Sequence, residues 1–206
     1  MPYEEGAQMK EHVTGHTTER TNKKLAVIFP GIGYHTDKPL LYYSKKLAGE
    51  REYEIIEVKY GKMPSGVKGN AKKMREAFAL ALQYATEQLA AVCFADYDDV
   101  LFVSKSVGTA VAAAYAKDNH IAARQVYYTP VAESFEAITQ AGIVFHGTAD
   151  PWADTAVIKT ECEKRDLPLY LTEQANHSME TGNVGRDLVI LREIMEQTAA
   201  YMDHKF

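Results

Sequence analysis

Ser106 stands where a strand-like run of residues changes into a helix-like one, a place where a chain can present a nucleophile. Apolar residues 100–103 precede it and small residues 107–110 follow it. A serine on such a turn faces a helix N-terminus, where the Val107 backbone N–H can donate to an oxyanion. The turn needs small residues two positions before and after the serine. Gly108 meets this need, and Ser104 replaces the usual glycine. Ser106 is therefore our candidate nucleophile, although a serine that merely caps a helix has the same pattern.

A second apolar run, 143–145, leads into a loop that carries an acid, Asp150. An acid at this position can hold a histidine through its Nδ1–H and stabilise the imidazolium that forms in acyl transfer. The plainer alternative is a turn aspartate in front of Pro151. Asp154 is a rival for the role of the acid, and we predict instead that it caps the helix that follows.

His177 follows the last strand-like run, in a polar loop that precedes the last helical segment. A histidine there is free to reach Ser106 as a general base. We interpret His146 as a packed structural residue. His35 lies near the turn after the first strand, and we expect it to face the solvent, with contact to the substrate as the alternative. The other histidines show no metal-like spacing with Cys, Asp or Glu; they are His12, His16, His120 and His204. We therefore expect no metal, and we expect no cofactor.

The elements that must position these residues alternate between short apolar runs and segments of helical period. Predicted strands cover 25–29, 53–58 (near a sheet edge), 99–103, 124–129, 142–146 and 167–172. Predicted helices cover 39–48 (capped by Asp37), 70–94, 107–116, 154–164 and 185–202. This rhythm is typical of a mostly parallel sheet with helices on both faces, whose ligands gather at the carboxyl ends of the strands.

Length and composition indicate one domain, 1–206, in which polar residues 1–24 either add a short strand or trail loosely. The formal charge is −5 and the basic residues form no stripe, which argues against a nucleic-acid partner. No apolar run is long enough for a membrane span, and the N-terminus does not have the pattern of a secretory signal. We therefore expect that the protein binds no membrane. With only two cysteines, we expect it to be cytoplasmic.

Four stretches, FPGIG, SKSVGT, HGTADPWAD and NHSME, occur in this order and resemble the motifs of small lidless α/β-hydrolases of serine-esterase type. The resemblance covers residues 25–202 and implies an α/β-hydrolase fold with Ser106, Asp150 and His177 as a catalytic triad. It also implies that the turn after the first strand supplies a second oxyanion donor, Ile32, with Gly33 as the alternative. The connection 130–140 is too short for a cap domain, so we expect an open site.

The resemblance implies a hydrolase that cleaves esters or thioesters of a small-molecule acyl substrate through an acyl-enzyme. Tyr34 and Trp152 are the aromatic residues expected near the substrate. Two alternatives remain open: a peptidase or acyltransferase on the same triad, and a non-catalytic binding protein of the same fold. A phosphate-binding loop at Gly31-x-Gly33 is disfavoured because the third glycine of that motif is missing. The sequence leaves the oligomeric state open.

Overall fold

A six-stranded, wholly parallel sheet lies at the centre of the structure, a computed structural model that describes residues 22–67, 69–139 and 141–203. The strand order is β2-β1-β3-β4-β5-β6, and every neighbouring pair is parallel. The strands are β1 (Lys24–Phe29), β2 (Tyr53–Glu57), β3 (Asp99–Lys105), β4 (Arg124–Tyr128), β5 (Gly142–Gly147) and β6 (Leu169–Thr172). The predicted parallel sheet is confirmed.

Within the described ranges, five α-helices cover the two faces of this sheet. They are α1 (Pro39–Glu50), α2 (Ala71–Leu89), α3 (Val107–Asp118), α4 (Thr155–Lys164) and α5 (Val184–Asp203). Successive residues of a strand face opposite sides, so Ile28 packs with α1 and α5 while Val27 and Phe29 pack with α2 and α3. Because helices cover both sides, the inner strands are continuous apolar runs rather than alternating ones. β2 lies at the predicted edge and is partly exposed.

The start of α1 differs from the prediction. Lys38, not Asp37, occupies the N-cap, and no side chain caps the helix. The fixed backbone of Pro39 at the first helical position begins the helix instead. The Asp37 carboxylate pairs with the Lys45 ammonium at 3.1 Å.

Two other elements are shorter than predicted, and one predicted N-cap is confirmed. α2 ends at Leu89, and a separate 3₁₀ turn, Phe94–Asp96, follows. β6 begins at Leu169 because the Leu167 N–H bonds the Cys162 carbonyl and closes the end of α4. The Asp154 carboxylate caps α4 by accepting a hydrogen bond of 2.7 Å from the Ala156 N–H.

The connection from β4 to β5 leaves the carboxyl edge of the sheet uncovered. Its described residues contain only a 3₁₀ turn, Ala132–Glu136, so the predicted absence of a cap domain is confirmed. Across the three described ranges, no helix is both long and apolar enough to cross a membrane. β1 begins at Lys24, the last residue of the predicted N-terminal segment, and residues 1–21 of that segment lie outside the described residues. The single domain over 1–206 stays a prediction.

Candidate active site

Ser106 sits on a strained turn between β3 and α3. Its backbone angles, φ 56° and ψ −126°, lie in a region that residues other than glycine rarely adopt. Hydrogen bonds hold the turn in place: the Ser106 N–H donates to the Tyr128 carbonyl at 3.0 Å, and the Ser106 carbonyl accepts from both the N–H and the hydroxyl of Thr109. The side chain is thereby presented at the N-terminus of α3, partly exposed to solvent.

Small residues around Ser106 allow the backbones of β1 and α3 to approach each other. A Cβ on Gly108 would lie 2.6 Å from the Phe29 carbonyl oxygen, well inside contact distance. A Cβ on Gly31 would lie 3.2 Å from the Cβ of Ser106. Ser104 is fully buried, and its hydroxyl donates to the Val126 carbonyl of β4 at 3.1 Å. The serine therefore fits where the motif usually has glycine.

Three side chains from three separate loops form a continuous hydrogen-bonded line. The Nε2 atom of His177 lies 2.8 Å from the Oγ atom of Ser106, and its Nδ1 atom lies 2.7 Å from Oδ2 of Asp150. Ser106 follows β3, Asp150 follows β5 and His177 follows β6, all at the carboxyl edge of the sheet. The structure thus brings together the three residues singled out from the sequence, in the geometry of a nucleophile, base and acid.

The loop that carries His177 is held by its own backbone and by β4. The Asn176 N–H donates to the Glu180 carbonyl at 2.8 Å, and the Asn176 carbonyl accepts from the Met179 N–H at 2.9 Å. The Thr129 hydroxyl, just past the end of β4, donates to the His177 carbonyl at 3.1 Å. These contacts fix the backbone before and after His177, and the fixed backbone orients the imidazole ring.

Asp150 has a fully buried carboxylate that remains ionised. Burial alone raises the pKa of Asp150, but the hydrogen bond and charge of His177 and the Trp152 N–H at 2.8 Å outweigh this and lower it. An ionised acid at this point orients the imidazole and stabilises its protonated form.

Two stretches of backbone beside Ser106, the start of α3 and the Gly31–Tyr34 turn, carry the amides that were predicted to hold an oxyanion. The Val107 N–H is the first of α3, and the first N–H groups of a helix lack partners within it. The turn Gly31–Tyr34 is closed by hydrogen bonds from the N–H groups of Gly31 and Tyr34, so the Ile32 and Gly33 amides are outside that pair. Gly31 packs against Ser106, which puts this turn beside the candidate nucleophile.

The two predicted substrate-contacting aromatics have different surroundings. The Trp152 ring is half-buried and stacks on the His177 imidazole, with 5.5 Å between the ring centres. Tyr34 is only 8% exposed, and its hydroxyl accepts from the Leu40 N–H at 3.2 Å. Burial raises the pKa of Tyr34 to about 12, so the phenol stays neutral. The Tyr34 side chain is thus packed inside the protein, where it holds its end of the Gly31–Tyr34 turn, and it does not face the solvent.

His146 and His35 lie near the site without touching Ser106. His146 is fully buried, its Nε2 atom lies 3.0 Å from the Thr155 hydroxyl and its Nδ1 atom lies 3.8 Å from Asp150, which agrees with a packed residue. Burial lowers its pKa, so the ring is neutral. His35 is exposed, as predicted. Within the described ranges, no three His, Cys, Asp or Glu side chains are placed to share a metal ion.

An apolar cavity of about 310 Å³ opens beside Val107, the residue that follows Ser106. It lies between α2, the start of α3 and the β4–β5 connection, and three charged side chains, Arg75, Glu133 and Glu136, also border it. Its apolar lining comes from Ala71, Met74, Phe78, Val107, Ala110, Val131 and Ala137. Such a cavity suits the apolar part of a small molecule.

The sequence analysis assigned no role to Lys105, the residue directly before Ser106. Lys105 is fully buried, which is rare for a lysine. The pattern contained a signal, because position 105 shares the period-two face of Leu101 and Val103, both of which are core residues.

Sequence comparison and structural comparison give different results. No family model and no curated protein matches the chain. Among solved structures, an esterase from Pyrococcus furiosus matches with a TM-score of 0.63 at 11% identity, over 89% of this chain and 84% of the other. A serine hydrolase without a lid from Xanthomonas campestris matches at 0.58 and 13% identity, over 89% and 84%.

A third similar structure is Est1E from Butyrivibrio proteoclasticus, with a TM-score of 0.61 at 8% identity over 89% of this chain and 90% of the other. The chain has the α/β-hydrolase fold. Within this fold the nucleophile stands after a central strand at the start of a helix, as Ser106 does here. Structural similarity at identities this low shows a shared fold, and it does not show a shared activity or substrate.

Proposed function

We propose that this protein is a serine hydrolase that cleaves carboxylic esters or thioesters of small molecules. The observation that carries the proposal is the pair of hydrogen-bond distances at His177: 2.8 Å to the Ser106 hydroxyl and 2.7 Å to the Asp150 carboxylate. A serine on a strained turn, a base in contact with it and a buried ionised acid behind the base are the parts that acyl transfer needs.

Acylation begins when His177 Nε2 takes the Ser106 proton as Oγ attacks the substrate carbonyl. The tetrahedral oxyanion accepts hydrogen bonds from the backbone N–H groups of Val107 and Ile32, with Gly33 as the alternative to Ile32. Removing one such donor costs about 3 kcal/mol of transition-state stabilisation in well-studied cases. The intermediate collapses, the carbon–oxygen or carbon–sulfur bond breaks, and the imidazolium of His177 gives its proton to the leaving alcohol or thiol.

Deacylation repeats these steps with water as the nucleophile. His177 takes a proton from water, the hydroxide attacks the acyl carbonyl, and the carbon–oxygen bond to Ser106 breaks as the imidazolium returns the proton to Oγ. The products are a carboxylic acid and the free enzyme. Asp150, ionised through its hydrogen bonds, stabilises the imidazolium in both halves of the reaction.

The apolar part of the substrate would occupy the cavity beside Val107. A volume of about 310 Å³ is near the lower end for ligand pockets, which favours short acyl or small aryl groups. The similar structures agree with this class: two are named as an esterase and a serine hydrolase, and Est1E is known with ferulic acid bound.

The free thiols Cys93 and Cys162 fit a cytoplasmic protein, the location that we propose.

The test is labelling with a fluorophosphonate probe, together with turnover of p-nitrophenyl acetate. Wild-type protein and a Ser65→Ala control, which changes an exposed serine away from the site, should both label and turn over. Ser106→Ala and His177→Ala should lose both activities while remaining folded. Folded wild-type protein that neither labels nor turns over would exclude the serine-hydrolase mechanism and leave the non-catalytic alternative.

A further inference from the structure

Lys105 carries a buried amine at the end of the strand that leads to Ser106. Its side chain is fully buried, and its amine nitrogen has no hydrogen-bond partner among the described residues. That nitrogen lies 5.0 Å from the centre of the Tyr34 ring. The face of an aromatic ring attracts the N–H groups of an amine, most strongly when the amine is protonated. The Tyr34 ring thus gives this amine a direct polar contact.

The backbone of Lys105 meets the opposite end of the Gly31–Tyr34 turn. A Cβ on Gly31 would lie 3.2 Å from the Lys105 carbonyl oxygen, so the two backbones are in close contact. Gly31 and Tyr34 pair with each other: the Gly31 N–H donates to the Tyr34 carbonyl at 3.0 Å, and the Tyr34 N–H donates to the Gly31 carbonyl at 3.3 Å. Lys105 therefore contacts both ends of the turn, one through its carbonyl and the other through its amine.

The Tyr34 side chain is also fixed by α1. Its hydroxyl accepts a hydrogen bond of 3.2 Å from the Leu40 N–H, in the first turn of that helix. Burial raises the pKa of Tyr34 to about 12, so the phenol is neutral and presents a ring face to Lys105 rather than a negative charge. The Gly31–Tyr34 turn is thus attached to α1 through the hydroxyl and to β3 through the ring.

The oxyanion of the proposed reaction needs donors from two different elements. Val107 begins α3, two residues after Lys105. Ile32 and Gly33 lie in the Gly31–Tyr34 turn, which follows β1. Groups that act together on one atom must be held within about 0.5 Å of the productive geometry. The contacts between the turn and the end of β3 set this separation, and Lys105 supplies two of them.

The stability of the fold does not explain a lysine at this position. Methionine would fill a similar volume without the cost of burying an amine, and replacing a buried charge by apolar groups is often neutral or stabilising. Apolar contacts are non-directional, whereas an amine is attracted to the face of a ring. A defined position of the Tyr34 ring is therefore what lysine adds over an apolar side chain.

We propose that Lys105 is a positioning residue that fixes the Gly31–Tyr34 turn relative to Ser106, so that both oxyanion donors reach the same atom. This role rests on the proposed function, because the donors act only when Ser106 forms a tetrahedral adduct. Lys105 acts through Tyr34 and Gly31, and its amine does not touch the substrate.

Two esters that differ in one atom test this role. In Lys105→Met, kcat/KM for p-nitrophenyl acetate should fall about tenfold, mainly through kcat, because the donors are displaced but not removed. The thiono analogue, in which sulfur replaces the carbonyl oxygen, should lose less rate, since sulfur is a weak hydrogen-bond acceptor. The ratio of the oxo rate to the thiono rate should therefore decrease. Lys117→Met, which changes an exposed lysine near the end of α3, should alter neither rate.

A double-mutant cycle tests whether Lys105 acts through the Tyr34 ring. Tyr34→Leu removes the ring, so adding Lys105→Met should cost little further rate. Tyr34→Phe keeps the ring and loses the hydroxyl, so Lys105→Met should still cost about tenfold in that background. Equal losses in all three backgrounds would overturn the role of the ring contact. Lys105→Leu provides a second apolar variant if the methionine protein does not fold.

NMR relaxation of backbone amides tests the same contact without a substrate. The order parameters of the Ile32 and Gly33 amides should decrease in Lys105→Met and stay at the wild-type values in Lys117→Met. An unchanged ratio of oxo to thiono rates would overturn the role of Lys105 even in a fully active hydrolase. A more mobile turn in a protein that never labels at Ser106 would overturn the proposed function instead, while the contact between Lys105 and the turn would stand. Unchanged order parameters in such a protein would overturn both.

Discussion

The Trp152 ring stacks on the His177 imidazole, with 27° between the two planes and 5.5 Å between their centres. The backbone N–H of the same residue donates to the Asp150 carboxylate at 2.8 Å. One residue therefore contacts both the proposed base and the proposed acid. Its ring limits rotation of the imidazole away from the line between Asp150 and Ser106.

Trp152→Ala should lower kcat about tenfold and change KM little, because the backbone donor to Asp150 remains while the imidazole gains freedom to leave the reactive geometry. Trp152→Phe keeps an aromatic surface and should recover most of the rate. The measurement is steady-state turnover of p-nitrophenyl acetate. A large rise in KM with normal kcat would mean that the indole binds substrate instead.

Ser104→Gly restores the usual small residue of the turn and should leave kcat within about twofold of wild type. It removes the hydroxyl bond to Val126, worth about 1 kcal/mol, and loosens the strand backbone. The variant should therefore be less stable in urea unfolding. Ser104→Ala, which removes the bond and keeps the Cβ, separates these two causes. A strong loss of kcat in both variants would show that the hydroxyl serves the reaction.

Much of this geometry follows from the sequence because the carboxyl ends of parallel strands meet at one edge. Ser106, Asp150 and His177 each follow a strand-like run, so an alternating chain brings them together. The predicted N-cap of α1 was wrong, because Pro39 begins that helix and the Asp37 side chain does not cap it.

Two other features could not be obtained in this way. The cavity depends on how Met74 and Phe78 of α2 lie against α3, and side-chain periodicity does not encode the packing of two helices. Lys105 has the spacing of a core residue but a polar type. The burial of its amine depends on tertiary packing, such as the Tyr34 ring 5.0 Å from the ammonium nitrogen, which the spacing of residues does not specify.

Lys105→Met should raise stability in a pH-dependent way. Folding lowers the pKa of this amine to about 7 from 10.5, so below pH 7 both states are charged and the folded protein bears the full cost of the buried cation. The gain in the variant should be greatest there, about 2 kcal/mol or more, and should shrink as pH rises towards 10.5. Thermal melts from pH 6 to 10 measure it, at roughly 2 to 4 °C per kcal/mol.

Lys117→Met is the matched control for these melts, because its amine is exposed and its substitution should give a small difference with little pH dependence. If Lys105→Met were less stable than wild type at pH 6, the amine would contribute to the fold through contacts that outweigh its burial. Such a result would contradict the interpretation of Lys105 as a buried amine whose lost hydration is not replaced.

Ala137→Leu should narrow the cavity beside Val107 and shift acyl preference. The added atoms take space from the apolar volume of about 310 Å³, so kcat/KM for p-nitrophenyl hexanoate should fall more than that for the acetate, by about tenfold. Ala156→Leu, at an exposed position of α4, serves as the control. Equal losses for both esters would place the acyl group elsewhere.

Trapping the acyl-enzyme tests the central claim most directly. Protein mixed with p-nitrophenyl acetate, quenched in acid and digested should yield an acetylated peptide, with the acetyl group on Ser106. The group should disappear as substrate is exhausted and should be absent from His177→Ala. Turnover of the ester by folded protein without an acetyl group on Ser106, or with the group on another residue, would contradict the proposed mechanism.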